Sequence, residues 1–205
     1  MTEEDKKWEE YLIPGTDGVL KNKFGISDNE ELKIKESEIV FKKLVELYEE
    51  PINGNFDKKH LCDIHKYLFE EIYPFAGQYR TVFMGKGNLY VTSVKNIDME
   101  LEIVIKEMNE ELATCHYFED YARFLANTYS ALIKVHPFRE GNGRTVREFL
   151  RELVETRIPN YKLDWSQVDS NNMLEGIRMA FFTKTLLEME FQKALVEDKD
   201  RIKGR

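Results

Sequence analysis

Apolar residues recur at helical spacing along most of the chain. Leu101, Val104, Ile105, Met108 and Leu112 stay in phase, which predicts a long helix with one buried face. A second helix runs from about Glu119 to Lys134, with Phe124, Leu125, Thr128, Leu132 and Val135 on one side. A third, after a glycine-rich bend, carries Val146, Phe149, Leu150, Leu153 and Val154. Nearer the N-terminus, Phe41, Leu44, Val45 and Tyr48 mark one face of a helix over 34–50, which "PINGN" breaks. The next helix shows Leu61, Ile64, His65, Leu68 and Ile72, and stops near "YPFAG". The last pattern spans Met173 to Leu195.

The period changes once. "TVFM" and "LYVT" flank "GKGN", two β-favouring runs about a glycine-rich turn, so a hairpin is expected over 81–92. "SDNE" sets Glu30 three residues after Ser27, a capping-box pattern that should start a short helix. Residues 11–26 hold four glycine or proline residues and read as irregular. The expected architecture is all-α, a helical bundle with one small β-hairpin. Residues 1–26 form a lead-in, 27–195 a single domain, and 196–205 a charged, frayed tail.

Composition narrows the class. The 205 residues are 42% apolar and 33% charged, a globular balance large enough for one sizeable core. The formal charge of -8 argues against a general nucleic-acid surface, so an anionic ligand needs a local basic site. Cys62 and Cys115 fall in apolar helical patterns and read as reduced, buried thiols. No apolar run approaches the ~20 residues of a membrane span. The start, MTEEDKKWEE, is acidic and unlike a Sec signal, so the expected compartment is the cytoplasm. Delivery by a specialised secretion machine would leave no trace in the sequence.

The local basic site is "HPFREGNGRTVR", residues 136–147. Pro137 stops the helix that His136 ends. "EGNG" is permissive backbone, and the helix that follows points orphan N–H groups and a positive dipole end into the bend. At about 100° per residue, Arg144, Arg147 and Arg151 fall within roughly a 60° arc, opposite Val146, Phe149, Leu150 and Leu153. Cations beside a positive helix end call for an anion, and a guanidinium fork suits phosphate oxygens. Glu140 beside a phosphate calls for a cation between them, and Mg²⁺ commonly binds through a carboxylate plus phosphate oxygens. His136 is the candidate proton acceptor. The set describes phosphoryl or nucleotidyl transfer.

The run resembles the Fic family motif, His-Pro-Phe-x-Asp/Glu-Gly-Asn-Gly-Arg-x-x-Arg, at every specified position. "IPGTDGVLKNKFGI", "HLCDIHKYLFEEIYPFAGQYR" and "LDWSQVDSNNMLEGI" resemble other parts of the same family. The resemblance implies a Fic-type helical bundle with the hairpin as a flap over the active site. It implies transfer of AMP from Mg-ATP to a Ser, Thr or Tyr hydroxyl of a target protein, and even to the chain itself. His136 would deprotonate the hydroxyl, and Glu140 would hold Mg²⁺. Gly141, Asn142 and Gly143 would form the anion hole, Arg144 and Arg147 would hold the outer phosphates, and Phe138 would anchor the loop. Lys86, Gly87 and Asn88 would be the flap residues, where a target segment docks as an added strand. Gly143 favours AMP transfer over phosphorylation, since a kinase branch of the family carries lysine there. Alternatives are transfer of another phosphate-containing group, removal of AMP, or a nucleotide-binding toxin–antitoxin or scaffold protein without turnover.

Many family members are held off by a helix bearing Ser/Thr-x-x-x-Glu-Gly/Asn, either their own or an antitoxin's. Ser27 and Glu31 have this spacing, but Leu32 follows where the pattern has Gly or Asn. Outside the motif, His60, Cys62 and His65 invite a zinc reading, yet their spacing favours packing. Arg151 either extends the basic wall or pairs with Glu148 or Glu155, and pairing is the preferred reading. Arg80 is expected to tie the hairpin to the body, and Asp164 or Ser166 to cap a turn beside an anchoring Trp165.

Overall fold

A computed structural model of the chain describes residues 3–84 and 91–199. The chain divides into two compact units, Met1–Met84 with Pro137–Thr145, and Gly85–His136 with Val146–Arg205.

The first unit begins with α1, Glu3–Glu10, ahead of an irregular stretch closed by a single bridge between Leu12 and Leu20. Helix α2, Asn29–Glu49, is one long helix rather than a short one. Its N-cap is Asp28, not Ser27: the Asp28 carboxylate accepts from the Glu31 N–H at 2.8 Å. The capping-box expectation is therefore corrected by one position, since a charged acceptor at Asp28 serves the same orphan donors.

The α2 face also differs from the expectation. Phe41, Val45 and Tyr48 are exposed, together with Ile34, while Leu32, Glu36, Val40 and Leu47 are buried. The buried register is centred on a glutamate, so hydrophobic periodicity selected the wrong stripe. Helix α3, Lys58–Phe69, packs on α2 and buries Leu61, Ile64, His65 and Leu68 as its spacing predicts.

The second unit holds α4 (Ile97–Leu112) and α5 (Phe118–Val135) in mutual contact. The expected stripes are buried, apart from Leu112, which is half-buried at the end of α4. Helix α6, Asn142–Arg157, buries Val146, Phe149, Leu150, Leu153 and Val154 completely. The last pattern is two helices, α7 (Ser170–Met179) and α8 (Thr185–Ala194). They pack where Gly176 admits Leu187: a Cβ at Gly176 would lie 2.7 Å from the Leu187 Cδ2. Phe181 and Phe182 sit in the turn between them, exposed, and they disguised the break as continued apolar pattern.

The one sheet among the described residues was not foreseen. β1 (Tyr161–Leu163) pairs antiparallel with β2 (Leu195–Glu197), with Lys162 opposite Val196. The centre of the expected hairpin, 85–90, lies outside the described residues, and its flanks 81–84 and 91–92 are not in strands. Trp165 packs edge-on against Phe191, and Asp164 caps the turn beside it. No described helix is long and apolar enough to cross a membrane.

Candidate active site

In the first unit the motif loop is fixed from below by aromatic stacking. Phe138 is fully buried and lies on the His65 ring, centroids 3.8 Å apart and nearly parallel. His65 Nδ1 accepts the Gly77 N–H at 2.8 Å, so its Nε2 carries the proton and donates to the Glu140 carbonyl at 3.0 Å. Burial pushes the His65 pKa down to about 4, and the nearby Arg144 charge adds to this, so the ring is neutral near pH 7.

Asn142 closes the loop. Its side chain accepts the Phe138 N–H at 2.9 Å and donates to the Phe138 carbonyl at 2.8 Å. Gly141 stands at φ 78, and a Cβ there would lie 2.3 Å from the Phe69 ring. Glycine is thus required both for conformation and for space. The Gly141 carbonyl accepts the Thr145 N–H at 3.0 Å and opens α6. Among the described residues nothing accepts from the N–H groups of Asn142, Gly143 or Arg144, the orphan donors of the first turn. Arg139 lies over the Trp8 and Tyr11 rings, 4.6 and 5.7 Å from their centroids, which clamps the loop to the N-terminal segment. The Arg80 N–H donates to the Pro137 carbonyl at 2.8 Å.

The charged groups of this unit form a chain. Glu140 Oε1 accepts the Gly141 N–H at 2.9 Å and faces Arg144 Nη2 at 3.4 Å. Arg144 Nη1 pairs with Glu36 Oε1 at 2.5 Å, and the Tyr73 hydroxyl donates to Glu36 Oε2. Burial and the Glu36 charge push the Tyr73 pKa far above the usual phenol range, so it remains a donor. Arg144 also lies 4.8 Å over the Phe69 ring. Glu140 Oε2 bonds to no described residue, and the side chain is 41% exposed. Among the described residues no cluster of three or more His, Cys, Asp or Glu side chains is set to hold a metal. A Mg²⁺ at Glu140 would fit a donor set of one carboxylate plus phosphate oxygens.

In the second unit α5 ends at His136, which adopts the left-handed region at φ 50, ψ 58. His136 Nδ1 faces the Ile133 carbonyl at 3.2 Å. A carbonyl only accepts, so Nδ1 is the protonated nitrogen and Nε2 bears the lone pair in the neutral ring. Arg147 is half-buried and makes no hydrogen bond or ion pair with any described residue. Arg151 is different. It is 4% exposed, pairs with Glu148 at 2.5 Å and with Glu155 at 2.6 Å, and is held firmly protonated by them. The preferred pairing is what the structure shows, and Arg151 does not extend a basic wall.

Of the remaining expected site residues, Lys86, Gly87 and Asn88 lie outside the described residues. Ser27 is exposed, and Glu31 sits in the exposed first turn of α2, its carboxylate unbonded among the described residues. The sequence reading missed Glu36, Tyr73 and His65 as partners of the motif loop. The signal for Glu36 was a lone charge in a buried i, i+4 register with Leu32 and Val40.

A helix end, a braced glycine loop and a second helix opening with orphan N–H groups follow one another along residues 133–147. Residues 55–154 match the family model described as Fic/DOC. The chain is 31% identical over 170 residues to the probable protein adenylyltransferase y4lH of Sinorhizobium fredii, covering 82% of this chain and 85% of that protein. It is 34% identical over 175 residues to protein adenylyltransferase VbhT of Bartonella schoenbuchensis, 82% of this chain but only 36% of that longer protein. The crystal structure of BepC from Bartonella tribocorum, with bound AMPPNP, superposes with a TM-score of 0.83 at 27% identity, covering 93% of this chain and 98% of that one. The chain belongs to the Fic/DOC family, and its helical architecture is the Fic fold.

Proposed function

We propose that this protein transfers AMP from Mg-ATP to a hydroxyl side chain of a target protein. The observation that carries the reading is the contrast between the two motif arginines. Arg144 is engaged by two carboxylates, whereas Arg147 has no partner among the described residues. A half-buried guanidinium without a counter-ion suits a polyphosphate. Names of relatives support the same activity, and so does the AMPPNP in BepC.

In this reading the substrate hydroxyl oxygen attacks the α-phosphorus of ATP. A P–O bond to that oxygen forms, the bond to the pyrophosphate breaks, and the hydroxyl proton passes to His136 Nε2. The Nδ1–H to Ile133 bond fixes the tautomer that makes this transfer available. The unbonded N–H groups at the start of α6 face the role of oxyanion donors. Mg²⁺, held by Glu140, would neutralise phosphate charge. The target presents a Ser, Thr or Tyr hydroxyl on a segment docked along the 81–92 flap. The ATP requirement places the activity in a cytoplasm, the cell's own or that of a recipient. A separate antitoxin, or the Ser27 and Glu31 turn, is the candidate brake, and Glu31→Gly tests the latter by a rise in self-modification.

The test is incubation with Mg-ATP labelled at the α- or the γ-phosphate, with and without His136→Ala. Label on protein from the α-position only, lost in the variant, is the expected result. Label from the γ-position would instead identify a kinase, and label from neither in the presence of tight ATP binding would favour the scaffold reading.

A further inference from the structure

We infer that Glu36 and Tyr73 are positioning residues for the metal carboxylate, acting through Arg144 on Glu140. The inference rests on the function proposed above and assigns Arg144 a task other than gripping the outer phosphates.

Arg144 is constrained on three sides. Its Nη1 is taken by Glu36 at 2.5 Å, its Nη2 faces Glu140 at 3.4 Å, and its plane lies over Phe69 at 4.8 Å. A guanidinium between two carboxylates leaves a local charge of about -1, which does not draw in a polyphosphate. It does hold one oxygen of Glu140. That oxygen, Oε1, also accepts the Gly141 N–H, so the carboxylate is pinned from two directions while Oε2 keeps its lone pairs. A pinned carboxylate with one open oxygen is pre-organised for a divalent ion.

Glu36 is in turn held by structure with no other evident purpose. Its side chain is 11% exposed, on the buried register of α2, and its second oxygen receives the Tyr73 hydroxyl. Tyr73 stacks on Phe75 at 4.9 Å and neighbours Phe69 at 6.3 Å. A carboxylate persists in such a place only when both oxygens are satisfied. If Glu36 loses its charge, Arg144 is left with Glu140 as its sole counter-ion. The guanidinium then swings onto Glu140 and competes with the metal for it.

The test uses Mn²⁺ as the probe, followed by its paramagnetic resonance signal, titrated with the full chain and AMPPNP. Glu36→Gln keeps the shape and an acceptor for Tyr73 but removes the charge. It is expected to weaken Mn²⁺ binding about 5-fold or more, the size of one lost charge-assisted contact. Metal-free AMPPNP binding should not weaken, since one negative charge beside the loop is removed, a split that general loosening of the fold would not produce. Glu36→Asp, which keeps the charge, should fall between the two, and Tyr73→Phe should weaken Mn²⁺ binding in the same direction by less.

Unchanged Mn²⁺ affinity in Glu36→Gln overturns the inference. So does faster AMP transfer by that variant, which would make Glu36 a restraint. If Glu36→Gln does not fold, Tyr73→Phe carries the comparison, and unchanged affinity there overturns it equally. Should the unaltered chain bind no Mn²⁺ with AMPPNP at all, the proposed function fails together with the inference.

Discussion

Gly141 carries two demands on a single position. Its φ of 78 and a 2.3 Å approach to Phe69 leave no room for a methyl group. Gly141→Ala should therefore distort the loop at a cost of about 1–3 kcal/mol, seen as a lower melting temperature and lost nucleotide binding. A variant that melts and binds like the unaltered chain contradicts this. His65 makes a second demand. Its ordinary pKa is 6.5 and burial holds it near 4 in the fold, so between those values only the unfolded state takes up the proton. The stability it contributes is complete above that window and is lost as pH falls through it, by up to about 1.4 kcal/mol per pH unit. Chemical unfolding above and within the window should show this decline in the unaltered chain and a shallower one in His65→Gln. Equal pH dependence in both would show that His65 is not the group responsible. The motif letters themselves were plain in the sequence. What they do was less plain, because Asn142 spends its side chain on Phe138 rather than on an anion, and only the fold reveals that.

Helix α6 shows how a charge pattern acquires meaning from its surroundings. Arg144, Arg147 and Arg151 lie in phase on a helical wheel, yet they divide into a tether, a cation with no partner among the described residues, and a buried pair. Removing Arg151 would take away the guanidinium that pairs with Glu148, which is 4% exposed. Arg151→Ala should cost about 3–5 kcal/mol in chemical unfolding, and Arg151→Lys should recover only part, since one ammonium cannot replace a fork. Stability near that of the unaltered chain in Arg151→Ala would mean that the pairs contribute little. Helices α3, α5 and α6 were legible because their apolar stripes are their buried faces. Helix α2 was not, because an ion pair seats Glu36 inside while Phe41, Val45 and Tyr48 remain outside. β1 and β2 were not legible either, as two three-residue strands far apart in sequence leave no local period.

The molecule carries a formal charge of -8, yet it sets Arg144 and Arg147 together at the start of α6. The first unit concentrates its aromatic rings under and around one loop: Phe69 and Phe138 below, Trp8 and Tyr11 over Arg139. Tyr11 also bonds Thr81, its hydroxyl accepting the Thr81 N–H at 3.0 Å, so the N-terminal segment holds both the loop and the approach to the 85–90 stretch. In the second unit α5 ends at His136, and α6 bears Arg147. Everything functional in this account depends on a nucleotide triphosphate meeting that open guanidinium. The most direct measurement is calorimetric titration of AMPPNP with Mg²⁺ into the unaltered chain and into Arg147→Ala. Binding by the first is expected, with affinity about 10-fold weaker or worse in the second and melting temperature little changed. Equal affinity in both would contradict it.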